Sequence, residues 1–89
     1  MQDIKQTETT LKALANGRRL SIIKYLKHVH KASVGDIAAK IRLSFKSTSH
    51  HLLILLSVGI LEREQVGLTM LYSISKDQKL GAKEVIWCL

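Results

Sequence analysis

The chain has 89 residues, the length of one domain, and its 46% of hydrophobic residues, five glycines and no proline are typical of a folded, mostly helical protein. Its single cysteine excludes an intramolecular disulfide, and without a long apolar run or a basic signal-peptide start we expect a cytoplasmic protein with no membrane contact. The net charge of +7 favours a polyanionic partner, although a solvated surface that keeps the protein soluble explains the same charge.

Two helices are predicted in the first third of the chain. Apolar residues from about Thr7 to Leu14 form a short helical face, and Asn16-Gly17 then breaks the pattern as a C-cap or turn pair does. A second helix follows with a basic outer face, and residues 27–31 are predicted to be its frayed end. The inward-facing residues of this second helix are predicted to be Leu20, Ile23, Tyr25 and Leu26.

The next two segments predict a helix-turn-helix. Ser33 lies three residues before Asp36, which is a capping-box-like start for a short third helix. After a turn at residues 42–43, Ser44 is an N-cap candidate for a helix from about Phe45 to Ser57 that Gly59 closes. Two short capped helices joined by a tight turn form a helix-turn-helix. The third helix is predicted to turn Val34, Ile37, Ala38 and Ile41 inward.

A β-hairpin and a closing helix complete the predicted fold. Residues 60–66 and 69–75 are strand-like and Gly67 is available for the turn between them, so a wing is predicted at about 60–75. Apolar residues among charged ones then predict an amphipathic helix at about 76–89. The fold class is mainly α with a small β-hairpin, a winged helix-turn-helix in a single domain that spans residues 1–89.

The charge distribution and the start of the fourth helix both point to double-stranded DNA as the partner. Ten basic and three acidic residues precede Ser47, whereas four of each follow from that position onward. In a helix-turn-helix the second helix enters the major groove, and its N-terminal side chains reach base edges. At this place the chain has hydroxyls, a lysine and histidines, which bond phosphates and bases. The alternative is that Ser44 is only a cap and that the other hydroxyls are solvated.

The predicted DNA-contacting residues fall into three groups. Those near the major groove are Ser44, Lys46, Ser47, Ser49 and His50. Those predicted to hold phosphates are Arg18, Arg19, Lys40 and Arg42. The third group is Arg63 alone, which is predicted to contact the DNA from the wing. The wing tip has no other base, so we expect a weak wing contact.

These segments resemble the arsenic-resistance-repressor (ArsR) family of winged-helix regulators. The stretch from Leu11 to Leu20 is similar to the family's entry motif, in which a helix end and a turn precede an Arg-Leu pair. Residues 36–61, with Ser-x-His-Leu at 49–52, are similar to its recognition-helix signature, and Tyr-Ser-Ile at 72–74 continues the match. The resemblance covers about residues 11–74. It implies a homodimer that binds an imperfect palindrome and represses transcription by occluding the promoter.

The metal sites of the resembled family are not recognisable in this chain. Where metal-sensing members carry Cys-x-Cys, the chain has Ser33 and Gly35, and its C-terminal segment has no histidine. His50 and His51 point about 100° apart on a helix, so they are poorly placed to chelate one ion together. We therefore predict no metal site and no cofactor. Cys88 is predicted to pack inertly among apolar neighbours, with redox sensitivity as the alternative.

Two apolar groups are candidates for packing or for subunit contact. Leu53, Ile54 and Leu56 make the fourth helix apolar all round, and we favour burial on more than one side over contact with a partner. Dimerisation is expected to use the first and last helices, because apolar and aromatic clusters carry most interface energy. The predicted dimerisation residues are Leu11, Leu80, Ile86 and Trp87.

Two other function classes explain less of the sequence. A winged-helix protein-interaction module would use the apolar fourth helix and the acidic wing, and charge reversal at Lys46 together with Arg42 distinguishes it from a DNA-binding protein. An enzyme would need a nucleophile beside a base, paired carboxylates in a pocket or a phosphate-binding glycine loop, and none is recognisable. We therefore predict that the protein is not an enzyme.

Overall fold

Helices and a small antiparallel sheet form the part of the chain that the computed structural model describes, residues 4–78 and 82–89. The elements are α1 (Ile4–Leu14), α2 (Gly17–Val29), β1 (Ala32–Ser33), α3 (Val34–Ile41), α4 (Phe45–Ser57), β2 (Leu61–Val66), β3 (Thr69–Ile74) and α5 (Ala82–Cys88). Helices α3 and α4 form the predicted helix-turn-helix, and β2 with β3 forms the predicted wing. None of the described helices is long and apolar enough to cross a membrane.

Helices α3 and α4 begin at the two serines that were predicted as caps. The hydroxyl of Ser33 accepts a hydrogen bond from the backbone N–H of Asp36 at 3.2 Å. The hydroxyl of Ser44 accepts one from the backbone N–H of Ser47 at 3.1 Å. Each bond satisfies an amide that the helix itself leaves without a partner. The start of α4 is thus fixed by a local contact that the sequence encodes.

Asn16 has a different role from the one predicted. Its side-chain oxygen accepts hydrogen bonds from the backbone amides of Arg18 and Arg19, at 3.0 and 3.1 Å. Asn16 is therefore the N-cap of α2 rather than the closing residue of α1, and Gly17 is the first residue of α2. Helix α2 also continues through Val29, so residues 27–29 are helical rather than frayed.

The last turn of α4 leads directly into the wing. Gly59 has a φ of +77°, which suits a residue without a side chain, and its N–H donates to Leu56 O at 3.0 Å. The N–H of Ile60 donates to Leu55 O at 3.1 Å, which completes a Schellman cap. This cap points the chain away from the helix axis and into β2.

The sheet has one strand that the sequence analysis missed. Its order is β1-β3-β2, and β1 pairs antiparallel with β3 through Ala32 opposite Tyr72. A strand of two residues carries no periodicity, and Ser33 also serves as the cap of α3. In the hairpin, Val66 is opposite Thr69, and Gly67 opens the two-residue turn with a φ of +64°.

The buried core joins all five described helices to the sheet. In α2, Ile23 and Leu26 are buried as predicted, but Ile22 is also buried, whereas Leu20 and Tyr25 are only half-buried. The largest fully buried side chains are those of Ile22, Ile23, Leu26, Ile37, Leu52, Leu55, Ile60, Thr10 and Thr48. Helix α2 therefore lies at the centre of the molecule.

The two terminal helices differ in extent from the prediction. Helix α1 already begins at Ile4 rather than near Thr7. Residues 76–78 are not helical, so α5 begins later than the predicted residue 76, at Ala82. The amide of Gln78 donates to Ile60 O at 3.1 Å and so ties this connection to the start of the wing. The predicted dimerisation residue Leu80 lies outside the described residues.

Thr48 offers a test of how α4 is anchored to the core. Its side chain is 0% exposed, and its hydroxyl has no hydrogen-bond partner in the described part of the chain. Because a buried hydroxyl without a partner opposes folding, we expect Thr48→Val to raise the free energy of unfolding by about 1 kcal/mol. Urea unfolding followed by circular dichroism measures the change.

Thr48→Ser is the matched control for this substitution. It keeps the hydroxyl and removes a buried methyl group, so we expect the free energy of unfolding to fall by about 1 kcal/mol. Valine and threonine are both β-branched, so helix propensity contributes little to the difference in stability between Thr48→Val and the wild type. Equal or lower stability of Thr48→Val would show that the hydroxyl has a partner in solution.

Candidate nucleic-acid interface

The opening turn of α4 projects into solvent while the opposite side of the helix is buried. Thr48, Leu52 and Leu55 recur at helical spacing and are 0% exposed. The remaining face is open at the N-terminal end of the helix. Its exposed residues are Ser44, Phe45, Lys46, Ser47 and His50, and Ser49 is half-buried beside them. The structure thus brings the predicted major-groove residues onto one side of one helix.

Phe45 is the residue that the sequence analysis missed on this surface. It is the first residue of α4, and its side chain is 64% exposed. An exposed aromatic ring beside Lys46 and the Ser44 cap has no packing role within the described chain. Periodicity gives no signal for it, because Phe45 lies three and seven residues before Thr48 and Leu52 and so continues the spacing of the buried stripe, which predicts a buried ring.

The N-terminus of α4 is electrostatically suited to an anion. The positive end of the helix dipole lies there, and the first turn contains Lys46 and no acidic residue. The Ser44 hydroxyl is already engaged as the cap, whereas the Ser47 hydroxyl and the Lys46 ammonium have no partner among residues 4–78 and 82–89. Phosphate or base oxygens can therefore reach these donors.

Three of the four cations predicted to hold phosphates gather at the C-terminal end of α3. Arg18 reaches across from α2, and its Nη1 donates to Ile41 O at 3.1 Å. Lys40 and Arg42 flank Ile41 in the chain, and both are exposed. Arg42 caps α3 in the left-handed conformation, with a φ of +58°, and its N–H donates to Ala38 O. This cation group lies next to the turn that leads to α4.

The fourth cation, Arg19, is occupied within the protein. Its Nε donates to Ala13 O and its Nη2 to Lys12 O, so the guanidinium binds the end of α1. Its Nη1 also contacts Nδ1 of His51 on α4 at 3.1 Å, and since an arginine can only donate, Nδ1 is the acceptor. Arg19 therefore connects three helices, and three of its five N–H donors are engaged within the protein.

The pKa of His51 is lower than its ordinary value of 6.5. Partial burial is the main cause, and the positive charge of Arg19 is the second, with smaller contributions from His50 and Arg18. All of these causes disfavour the imidazolium form. Neutral His51 can accept the hydrogen bond from Arg19, whereas protonated His51 cannot.

The wing is mixed in charge and apolar at its tip. Arg63 lies on β2 opposite Tyr72 and between two glutamates, and it is exposed. Glu64 forms an ion pair with Lys31, which raises the pKa of that lysine, chiefly through the hydrogen bond that they share. At the tip, the side chain of Leu68 is fully exposed. Arg63 is thus the one basic residue on the described hairpin.

The apolar residues in the second half of α4 differ in burial. Ile54 and Leu56 are half-buried and pack against the core. The prediction that α4 is buried on more than one side is therefore correct for these two residues. Leu53 is 55% exposed, so the same interpretation is wrong for that residue.

Helices α1 and α5 each carry exposed apolar side chains. On α1, Ile4 and Leu11 are exposed along a shallow apolar groove of about 460 Å³ that also includes Thr7 and Ala15. On α5, the side chain of Trp87 is 81% exposed.

The outcome for the other predicted C-terminal residues is mixed. Ile86 is only 9% exposed and belongs to the core, so it supports the α5 surface from below and does not itself project from it. Cys88 is exposed, so the expectation that its thiol packs among apolar neighbours is wrong. Lys27 links α2 to this region, since its Nζ donates to Trp87 O at 2.8 Å. The described residues include no cluster of three or more His, Cys, Asp or Glu side chains.

The chain is similar to a known protein family and to several solved structures. A family model described as "Bacterial regulatory protein, arsR family" matches residues 16–63, more than half of the chain. The transcriptional repressor PagR of Bacillus anthracis is 25% identical, with a TM-score of 0.79 over 96% of this chain and 93% of its own. HlyU from Vibrio vulnificus is 32% identical, with a TM-score of 0.77 over 94% and 83%. A homodimeric DNA-binding domain from Mycobacterium bovis is 29% identical, with a TM-score of 0.80 over 96% and 72%. Curated protein sequences give no match.

The capped helix pair, the open face of α4 and the hairpin define a winged helix-turn-helix DNA-binding regulator of transcription. Within that class the chain belongs to the ArsR family of bacterial regulatory proteins. The resemblance identified from the sequence motifs is thereby confirmed, and so is the predicted fold class.

The partial burial of His51, together with the charge of Arg19 beside it, makes stability depend on pH. Because the pKa of His51 is lower in the folded protein, the unfolded chain binds more protons as the pH falls below about 6.5. The stabilisation is therefore complete above that pH and is lost as the pH falls through the folded pKa. We expect His51→Asn, whose side-chain oxygen can replace Nδ1 as acceptor, to flatten the fall in the urea midpoint between about pH 7.5 and 5.

His28→Asn is the matched control, because His28 is exposed on α2 and does not contact Arg19. It should keep the wild-type dependence of the urea midpoint on pH. A His51→Asn protein with the same pH dependence as the wild type would remove His51 as the source.

Proposed function

We propose that the protein is a homodimeric, cytoplasmic repressor that binds an imperfect palindrome in double-stranded DNA and has no enzymatic activity. The observation that carries the proposal is the solvent-facing first turn of α4, flanked by cations that form no ion pair with any acidic residue in the described ranges. A surface of this kind suits a polyanion with a groove that α4 can enter. PagR, a structural neighbour, is a transcriptional repressor.

Each exposed side chain has a role in the proposed complex. Lys46, Ser47, Ser49 and His50 meet base edges or nearby phosphates in the major groove, while Ser44 holds the helix start in place. Phe45 meets a thymine methyl group, the apolar feature of that groove. Phosphates are held by Arg18, Lys40 and Arg42, with Arg63 as the single wing contact.

Arg19 acts in the proposed complex as a positioning residue rather than as a phosphate contact. Its guanidinium donates to α1 and contacts α4, so it sets the angle at which the recognition helix leaves the body of the protein. An angle fixed before binding lowers the conformational entropy that the complex must overcome.

The two subunits are proposed to meet through α1 and α5. Leu11 and Trp87 are exposed apolar side chains on these adjacent helices, and Ile86 supports Trp87 from the core. The Mycobacterium bovis neighbour is homodimeric. A two-fold axis through this surface would present two copies of α4, as a palindromic site requires.

Selection of bound sequences from a random duplex library tests the proposed function, because it reports binding, half-site spacing and symmetry together. With about six to ten phosphate contacts, affinity for the selected site should fall roughly a thousandfold or more between 50 and 200 mM salt. We expect Lys46→Gln to weaken binding and to reduce the slope of that salt dependence by about one.

Lys76→Gln removes the same charge from an exposed position outside the interface. It should leave both the DNA affinity and the slope of its salt dependence unchanged. Fluorescence anisotropy with the selected duplex measures them. A flat salt response, or equal effects of the two substitutions, would contradict a DNA-binding role for α4.

Subunit contact through α1 is tested by Leu11→Glu. A carboxylate in the centre of an apolar contact must be desolvated without a partner, so we expect this variant to be monomeric. Leu68→Glu places the same charge at the fully exposed wing tip and should remain dimeric. Light scattering after size-exclusion chromatography gives the masses, and a dimeric Leu11→Glu protein would rule out this surface.

A further inference from the structure

A cavity of about 780 Å³ opens between α2, the C-terminal end of α3 and the last residue, Leu89. Its walls combine cations with apolar and aromatic surface. The basic residues that line it are Lys24, Lys27, His28, Lys40 and Arg42. A volume of this size is typical of small-molecule sites, which hold a ligand with a few well-placed polar groups on otherwise apolar walls.

No Asp or Glu side chain lines the cavity. The two salt bridges among the described residues join Lys12 to Glu8 and Lys31 to Glu64, so no cation of the cavity has an acidic partner. Within the described residues, Lys27 alone of these lysines forms a hydrogen bond, to the backbone oxygen of Trp87 in α5. Like charges held together around a concave surface raise its positive potential and attract anions into it.

The apolar wall distinguishes the cavity from the surface proposed to bind DNA. Tyr25, Ile41 and Leu89 line it, and each is half-buried. The proposed DNA contacts on α4 instead stand on a convex helix start. A small anion with some carbon framework fits such walls better than a phosphate on a rigid duplex does. None of the residues proposed for dimerisation lines the cavity.

We propose that this cavity binds a small-molecule anion with two or more phosphate or carboxylate groups, and that the ligand releases the protein from DNA. This release from DNA rests on the proposed function. Lys40 and Arg42 line the cavity and are also proposed phosphate contacts, so one pair of side chains is shared by two anions. A ligand that engages them withdraws them from the DNA backbone, and by linkage DNA weakens the ligand to the same degree.

Binding is tested first without DNA. Inorganic pyrophosphate and citrate are titrated separately into the full chain at constant ionic strength, and amide chemical shifts are followed by NMR. We expect saturable shifts at Lys24, Tyr25 and Arg42 with at least one of the two probes, and the stronger probe identifies phosphate or carboxylate as the preferred group.

Lys24→Gln is the test variant, because Lys24 is exposed, lines the cavity and has no proposed role at the DNA. Removal of one charge-assisted hydrogen bond should raise the dissociation constant for the probe roughly tenfold. Lys76→Gln, with the same loss of charge outside the cavity, should bind as the wild type does. His28→Gln is a second cavity variant, expected to weaken binding if Lys24→Gln proves unstable to urea.

The DNA arm uses the duplex selected by the wild-type protein. The stronger probe should lower wild-type DNA affinity more than sodium chloride of equal ionic strength does, and Lys24→Gln should reduce that effect without lowering DNA affinity itself. If Lys24→Gln weakens DNA binding as much as Lys46→Gln, the cavity is part of the DNA surface and the proposal is wrong.

The remaining outcomes separate the anion site from the proposed function. Shifts that do not saturate, or equal losses in Lys24→Gln and Lys76→Gln, would show general charge attraction and overturn the site. Saturable anion binding in a protein that selects no DNA would support the anion site. It would overturn both the proposed release from DNA and the repressor function. DNA binding with no saturable anion site would leave the repressor function standing alone.

Discussion

The orientation of α4 depends on a single buried stripe. Thr48, Leu52 and Leu55 are completely removed from solvent, and this burial determines which side of the helix remains open. The stripe acts together with the contact between Arg19 and His51, which ties the same helix to the ends of α1 and α2. Rotation of α4 by one residue, about 100°, would expose apolar surface and bury polar groups, so the open face is strongly specified.

The cations are arranged around that open face without acidic partners. The ion pairs in the described ranges lie elsewhere, on α1 and between Lys31 and the wing. Exposed ion pairs contribute little to stability, so unpaired cations cost the fold little while they raise the local potential. The same arrangement serves both proposed partners, since a duplex and a small anion each supply the missing negative charge.

Local signals in the sequence predicted much of this structure, and long-range contacts account for what was missed. The caps at Ser33 and Ser44 act within four residues, so they could be identified from the sequence. The role of Arg19 depends on His51, 32 positions away, and no periodicity reveals it. Burial of Ile86 with exposure of Trp87 is likewise a choice of face in a helix of seven residues, too short for a clear pattern.

Arg42 shows how folding and binding compete at one position. Its φ of +58° lies in a region that costs a residue with a side chain about 1 kcal/mol, and glycine would avoid this cost. The conformation is held by hydrogen bonds from the amides of Arg42 and Leu43 to Ala38 O, which end α3 and turn the chain toward α4. A glycine here would keep the turn but remove a cation shared by the cation group and the cavity. Under the proposed function, a guanidinium at this position binds the DNA backbone or the small anion, a role that glycine could not fill.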